Sequence, residues 1–145
     1  MIVDTNVLLY AVDKAAPFHP GALAWLTGAL NGPVRIGLPW PALIGFQRIA
    51  TNPRAVARPL SSKAAWSHIE RWLAAPAAWV PVPGQRHSEI LGRLIAEGDL
   101  RGNLVPDAHL AALAIEFGLK VCSYDSDFAR FAGADWFRPP DPRVS

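Results

Sequence analysis

The chain opens Met1-Ile2-Val3-Asp4-Thr5-Asn6-Val7-Leu8-Leu9-Tyr10. Ile2 and Val3 suit a short buried strand. A carboxylate follows at once, then two helix-capping residue types, then a renewed apolar run. The stretch predicts a strand, a carboxylate and a helix start in direct succession. In an open parallel α/β sheet this is the carboxyl end of a strand, where ligands bind. Asp4 also has a local reading as the cap of the next helix, and on this stretch alone both readings stand.

The rest of the chain repeats the alternation. Gly21–Leu30 carries an apolar stripe at helical spacing and ends at Asn31-Gly32-Pro33. Val34–Leu38 is a strand candidate, followed by a helix over Ala42–Ala50 that Thr51-Asn52-Pro53 stops. Ser61 or Ser62 caps a helix running through Ala74. Trp79–Pro83 is a short or edge strand because of its prolines. His87–Glu97 is the next helix, with Gly98 placed as the residue that ends it. Asp99–Val105 reads as a loop, and Pro106 suits the first turn of a helix that Gly118 closes. Leu119–Ser123 is a strand, Tyr124–Asp127 lies at its carboxyl end, and a short helix runs through Phe131. Trp136 and Phe137 make a last edge strand. Alternating strands and helices predict a parallel sheet of α/β type. The expected organisation is one domain over residues 1–138 and a proline-rich tail over 139–145.

Composition excludes several classes. Of 145 residues, 51% are hydrophobic and 18% charged, so the chain folds as a globular domain. No apolar run approaches the ~18 residues a membrane helix needs. The start has no basic segment, and Asp4 interrupts what would be a leader's apolar region, so a cytoplasmic protein is expected. Cys122 is the single cysteine and reads as a buried strand thiol. The net charge is +2, from 14 basic and 12 acidic residues. If four aspartates serve one site, the remaining surface is decidedly basic, which suits an enzyme acting on a polyanion. A GC-rich genome explains the same Arg-rich, Ala-rich, Pro-rich composition.

The aspartates fall where chemistry needs them. Asp4 follows the first strand, Asp125 and Asp127 follow the strand Leu119–Ser123, and Asp107 lies in the first turn of a helix. If the first and fourth strands are neighbours, Asp4 and Asp125 meet at one sheet edge. Clustered carboxylates repel one another, and a hard divalent cation with oxygen ligands relieves that repulsion. Taken singly, Asp107 favours a helix dipole and Asp125 and Asp127 suit an ordinary turn. Arg48, Arg54 and Arg58 form a loose basic cluster, readable as a solvated surface or as a contact for phosphate or protein. His109 reads as a packing or surface residue, whereas Arg86 and His87 open a helix and could face the site.

Five segments together resemble a known family. They are Met1–Asn6, Gly45–Arg54, Pro83–His87, Gly102–Ala114 and Ser123–Phe131. In this order and spacing the chain resembles PIN-domain ribonucleases, the toxins of VapBC-type toxin–antitoxin pairs, in a subgroup common in mycobacteria. The resemblance implies an α/β/α fold on a five-stranded parallel sheet of order 3-2-1-4-5. It implies Mg²⁺- or Mn²⁺-dependent endoribonuclease activity, often on tRNA or rRNA, leaving a 5′-phosphate and a 3′-hydroxyl. It also implies a VapB-type antitoxin partner and a homodimer. Asp4, Asp107 and Asp125 match its metal-binding carboxylates, Asp127 a nearby acidic position, and Asn6 and Ser123 small polar residues lining the pocket. Arg48, Arg54 and Arg86 are the candidate contacts for RNA or a partner.

One departure stands out. The family usually carries a glutamate on the helix after the second strand, yet no acid lies between Asp13 and Glu70, and Leu43 to Gly45 supply none. One readily filled metal site is therefore expected, with Asp127 compensating. A non-catalytic PIN module that binds RNA or a partner is the rival reading. An aspartate-nucleophile phosphatase needs a second Asp two residues after the first, where this chain has Asn6.

Overall fold

The computed structural model describes residues 1–143. Residues 144–145, the end of the expected tail, lie outside the described residues. Five parallel strands make one sheet in the order β3-β2-β1-β4-β5. They are β1 (Ile2–Val3), β2 (Ile36–Gly37), β3 (Ala78–Trp79), β4 (Val121–Cys122) and β5 (Trp136–Phe137). Six helices connect them: α1 (Thr5–Val12), α2 (His19–Leu30), α3 (Trp40–Ala50), α4 (Ser62–Ala74), α5 (His87–Gly98) and α6 (Leu104–Phe117). A 3₁₀ helix, Ser126–Arg130, follows β4.

The strands are shorter than the apolar runs predict. Regular pairing covers two residues in each, although single ladder bonds reach one residue further, as from Asp4 N–H to the Cys122 carbonyl (3.0 Å) and from Ser123 N–H to the Phe137 carbonyl (3.0 Å). Pro39, Pro81 and Pro139 have no N–H with which to extend a ladder. Asp4 and Ser123 leave the sheet because their backbones turn into the following elements.

Neighbouring residues of one strand face opposite sides of a sheet. Ile2 and Val121 accordingly join the core under α5 and α6, with Leu94, Leu110, Leu113 and Phe128. Val3 and Cys122 join the core under α1 to α4, with Leu8, Leu26, Leu43, Phe46 and Ile69. Cys122 is wholly buried, and that burial pushes its thiol pKa well above the ordinary range.

Helix ends follow the expected chemistry with a few shifts: α3 begins at Trp40 and α6 at Leu104, each two residues before the expected start. Ser61 Oγ accepts the Ala64 N–H, capping α4. Gly118, at φ 66°, closes α6. Gly98, in contrast, is the last residue of α5, and the left-handed position passes to Asp99 at φ 46°. The left-handed turn brings Leu100 back over the helix, where its N–H reaches the Ile95 carbonyl (3.1 Å) and its side chain is buried. A side chain at Gly98 would meet Leu100, so the glycine serves this fold-back and the aspartate, a residue type tolerant of positive φ, makes the turn.

Candidate metal centre

β1 and β4 lie side by side in register, Ile2 opposite Val121 and Val3 opposite Cys122, so the residues after them meet at one edge. Asp4 is the N-cap of α1: its Oδ1 accepts the Thr5 N–H at 2.8 Å. Its other oxygen accepts from Ser123 Oγ (2.7 Å) and Asn6 Nδ2 (3.3 Å). The cap and site readings of Asp4 are thus both met by one side chain, one oxygen turned to the helix and the other to β4. Burial raises the Asp4 pKa, against the opposing effect of the Ser123 and Thr5 hydrogen bonds.

Asn6 completes the seam. Its Nδ2 donates to Ser123 Oγ (3.1 Å) and its Oδ1 accepts the Tyr124 N–H (3.0 Å). Ser123 Oγ in turn accepts the Asp125 N–H (3.0 Å). Asp125 caps the 3₁₀ helix, its Oδ1 accepting the Asp127 N–H at 2.8 Å.

The carboxylates that close most tightly are Asp107, Asp125 and Asp127, which offer one oxygen each within 4.8 Å of one another. Asp107 comes from the first turn of α6, whose start is brought to this edge by the α5–α6 hairpin. Its pKa is raised to about 6, first by burial and then by the charges of Asp4, Asp125 and Asp127. Three carboxylates converging on one point without enough positive charge are the donor set a hard divalent cation takes. Asp4 stands beside this group, close enough for its charge to act on Asp107, with its own oxygens engaged by the protein.

The family glutamate has no substitute on α3. Thr5 Oγ1 donates to the Ala42 carbonyl (3.0 Å), drawing the start of α3 against the start of α1. A Cβ at Gly45 would overlap the Thr5 hydroxyl, so the close approach needs glycine there.

Of the expected arginines, Arg48 and Arg54 are not gathered here. Arg48 lies in the last turn of α3 and Arg54 in the turn beyond it, at the end of that helix away from the edge where α3 begins. The Arg86 N–H and the Gly84 N–H both donate to Glu116. Glu116 lies nine residues beyond Asp107 on α6, about 13 Å along the helix. His109 packs against His87, its Nδ1 2.9 Å from His87 Nε2, which agrees with a packing role. An arginine outside the expected set stands at the site: Arg130, whose Nη2 lies 3.1 Å from Asp127 Oδ1. Its i,i+3 spacing from Asp127 was the available signal, obscured by the shortness of the helix that carries both.

Comparison with known proteins agrees with this architecture. Residues 1–134 match the family model of the PIN domain. The ribonuclease VapC37 of Mycobacterium tuberculosis is 48% identical over 139 residues, with 96% of each chain covered. VapC33 of the same organism is 42% identical, with 96% of this chain and 97% of the relative covered. Among solved structures, M. tuberculosis VapC20, described as a sarcin–ricin-loop-cleaving toxin, superposes with TM-score 0.67 at 16% identity, covering 92% of this chain and 98% of that one. VapBC2 of Rickettsia felis, bound to promoter DNA, superposes with TM-score 0.66 at 17% identity, covering 94% and 96%. A sheet order, a carboxylate edge and a near full-length match to these relatives lead to one conclusion: the chain belongs to the PIN-domain family, in its VapC branch.

Proposed function

We propose that the protein is a divalent-metal-dependent endoribonuclease, the toxin of a VapBC-type pair, acting in the cytoplasm on structured RNA such as tRNA or rRNA. The observation that carries this reading is the convergence of Asp107, Asp125 and Asp127. A module that only bound RNA would gain nothing from such a group, because unneutralised carboxylates repel phosphate. The phosphodiester substrate therefore calls for a cation between the carboxylates and the RNA.

Asp107, Asp125 and Asp127 would hold Mg²⁺ or Mn²⁺, with water completing the shell. The bound ion would polarise the phosphate and lower the pKa of an attacking water. Ser123 and Asn6 hold the protein frame: together they lock the Asp4 carboxylate and fix the backbone of Tyr124 and Asp125. Asp4, whose Oδ1 accepts a single hydrogen bond and keeps a lone pair free, would join the three ligands at the ion.

The partner would dock on an apolar groove beside the C-terminal end of α1. Val12, Leu23, Leu26, Leu30 and Trp72 line a groove of about 480 Å³ between α1, α2 and α4, with His68 and Arg71 on its rim. An apolar segment of a VapB-type antitoxin with an acidic residue suits it. Trp40 (40% exposed), Ile44 (55%) and Trp66 (41%) form a second apolar surface, suited to a homodimer contact.

The test is cleavage of labelled RNA by purified protein. Cleavage requires Mg²⁺ or Mn²⁺, stops in EDTA, and is lost in Asp125→Asn. Cleavage that persists in EDTA or in that variant overturns the reading.

A further inference from the structure

Asp127 differs from the other two carboxylates in already having a cation. Arg130 Nη2 lies 3.1 Å from its Oδ1, and among the described residues this is the one salt bridge that touches Asp107, Asp125 or Asp127. The two residues sit three apart on the 3₁₀ helix, and both side chains are about half exposed, 50% for Arg130 and 43% for Asp127.

This pair is easily opened. An exposed ion pair between flexible side chains contributes little to stability, so Arg130 can leave Asp127 without disturbing the fold. A divalent cation at the three carboxylates would lie only a few ångströms from the guanidinium, and the two positive charges repel. Filling the site would therefore favour release of Arg130 from Asp127. The nearest favourable partner is the RNA itself. Guanidinium matches phosphate oxygens in a planar, bidentate way, and a phosphate must approach the same open side of the carboxylates to reach the ion.

We propose that Arg130 is a substrate-binding residue that exchanges partners, pairing with Asp127 in the free protein and with an RNA phosphate once a cation takes Asp127. The inference rests on the nuclease reading above. It differs from a purely structural role, in which Arg130 holds Asp127 in place. Under that role, removing Arg130 weakens metal binding; under the exchange it strengthens metal binding and weakens RNA binding.

The test measures both on Arg130→Gln. Mn²⁺ titration of the RNA-free protein, followed by electron paramagnetic resonance, is expected to show binding about three- to tenfold tighter than wild type. Binding of a fluorescein-labelled RNA hairpin is followed by anisotropy in Ca²⁺. Any RNA serves, because phosphate contacts are independent of sequence. Arg130→Gln is expected to bind it about fivefold more weakly, with the salt slope reduced by about one. Arg130→Lys keeps part of the RNA affinity. Arg35→Gln, which removes a cation stacked over Trp79 before β2, leaves RNA binding unchanged. Weaker Mn²⁺ binding in Arg130→Gln, unchanged RNA binding, or an equal loss in Arg35→Gln overturns the exchange while leaving the nuclease reading intact. A wild-type protein that binds no Mn²⁺ overturns the metal reading beneath it.

Discussion

Ser123 Oγ lies 2.7 Å from Asp4 Oδ2, across 119 residues of chain. The same hydroxyl accepts from Asn6 Nδ2 and from the Asp125 N–H. One small side chain at the end of β4 thereby ties the carboxylate after β1 to the loop that carries Asp125 and Asp127. A larger residue would not fit a position with no solvent exposure, and an apolar one would leave the buried Asp4 oxygen only the longer bond from Asn6 Nδ2.

Ser123→Ala is accordingly expected to destabilise the protein by about 1.5–3 kcal/mol, the range for a hydrogen bond to a charged group. Chemical denaturation of the metal-free protein measures it. A loss within error of zero would show that water replaces the hydroxyl at Asp4.

Removing a carboxylate should act on metal binding in proportion to its place in the group. Asp107→Asn, Asp125→Asn and Asp127→Asn each take one member from the 4.8 Å group. Each is expected to lower cleavage more than the roughly 10–100-fold typical of residues that only support ligands. Titration of the RNA-free wild type is expected to reach one Mn²⁺ per chain, because α3 adds no carboxylate to offset a second ion's charge. Calorimetry that fits two tight ions, or an Asp127→Asn variant with wild-type activity, contradicts this.

The raised Asp107 pKa makes metal binding and stability depend on pH. In the unfolded chain this carboxyl titrates near 3.8, and in the folded protein near 6. Its contribution to stability is therefore fully present below about pH 4 and is lost as pH rises through about 6. The metal-free protein pays this electrostatic cost at neutral pH, and the cation removes it. Mg²⁺ is expected to raise the melting temperature more at about pH 7.5 than at about pH 5, and Mn²⁺ affinity is expected to fall as pH drops through about 6. Thermal scans with and without Mg²⁺ at the two values decide the matter; an equal rise at both would remove Asp107 from the ligand set.

Gly45 is expected to resist substitution. Gly45→Ala places a methyl group against Thr5 Oγ1 and should cost about 1–3 kcal/mol by forcing α3 away from α1. Gly45→Glu is expected to lower stability further and to gain no second metal site. Denaturation of both variants, with Mn²⁺ titration of the second, tests this.

Much of the architecture follows from local pattern. The carboxylate after Ile2-Val3, the helix between Ser61 and Ala74, the left-handed Gly118 and the alternation of strands and helices are each encoded within about one turn or strand of neighbouring residues. Family resemblance supplied the strand order, which places β1 beside β4. The strand ends were harder to read, because Val34–Leu38 and Leu119–Ser123 are apolar for longer than they are paired, and pairing depends on the neighbouring strand. The sequence pattern places the turn at Gly98, one residue before Asp99, because burial of Leu100, a tertiary effect, decides which residue takes the positive φ.

By itself the sequence determined that this chain forms a parallel α/β domain with aspartates after its first and fourth strands and at the start of α6. Only the tertiary structure decided how those aspartates are arranged around one another. Asp107, Asp125 and Asp127 close into one group, Asp4 turns its oxygens to Ser123, Asn6 and Thr5, and Arg130 pairs with Asp127. The physical reason is that periodicity specifies which face a residue occupies, whereas the direction of a carboxylate depends on the donors that reach it. For Asp4 the deciding donor lies 119 residues away in the chain.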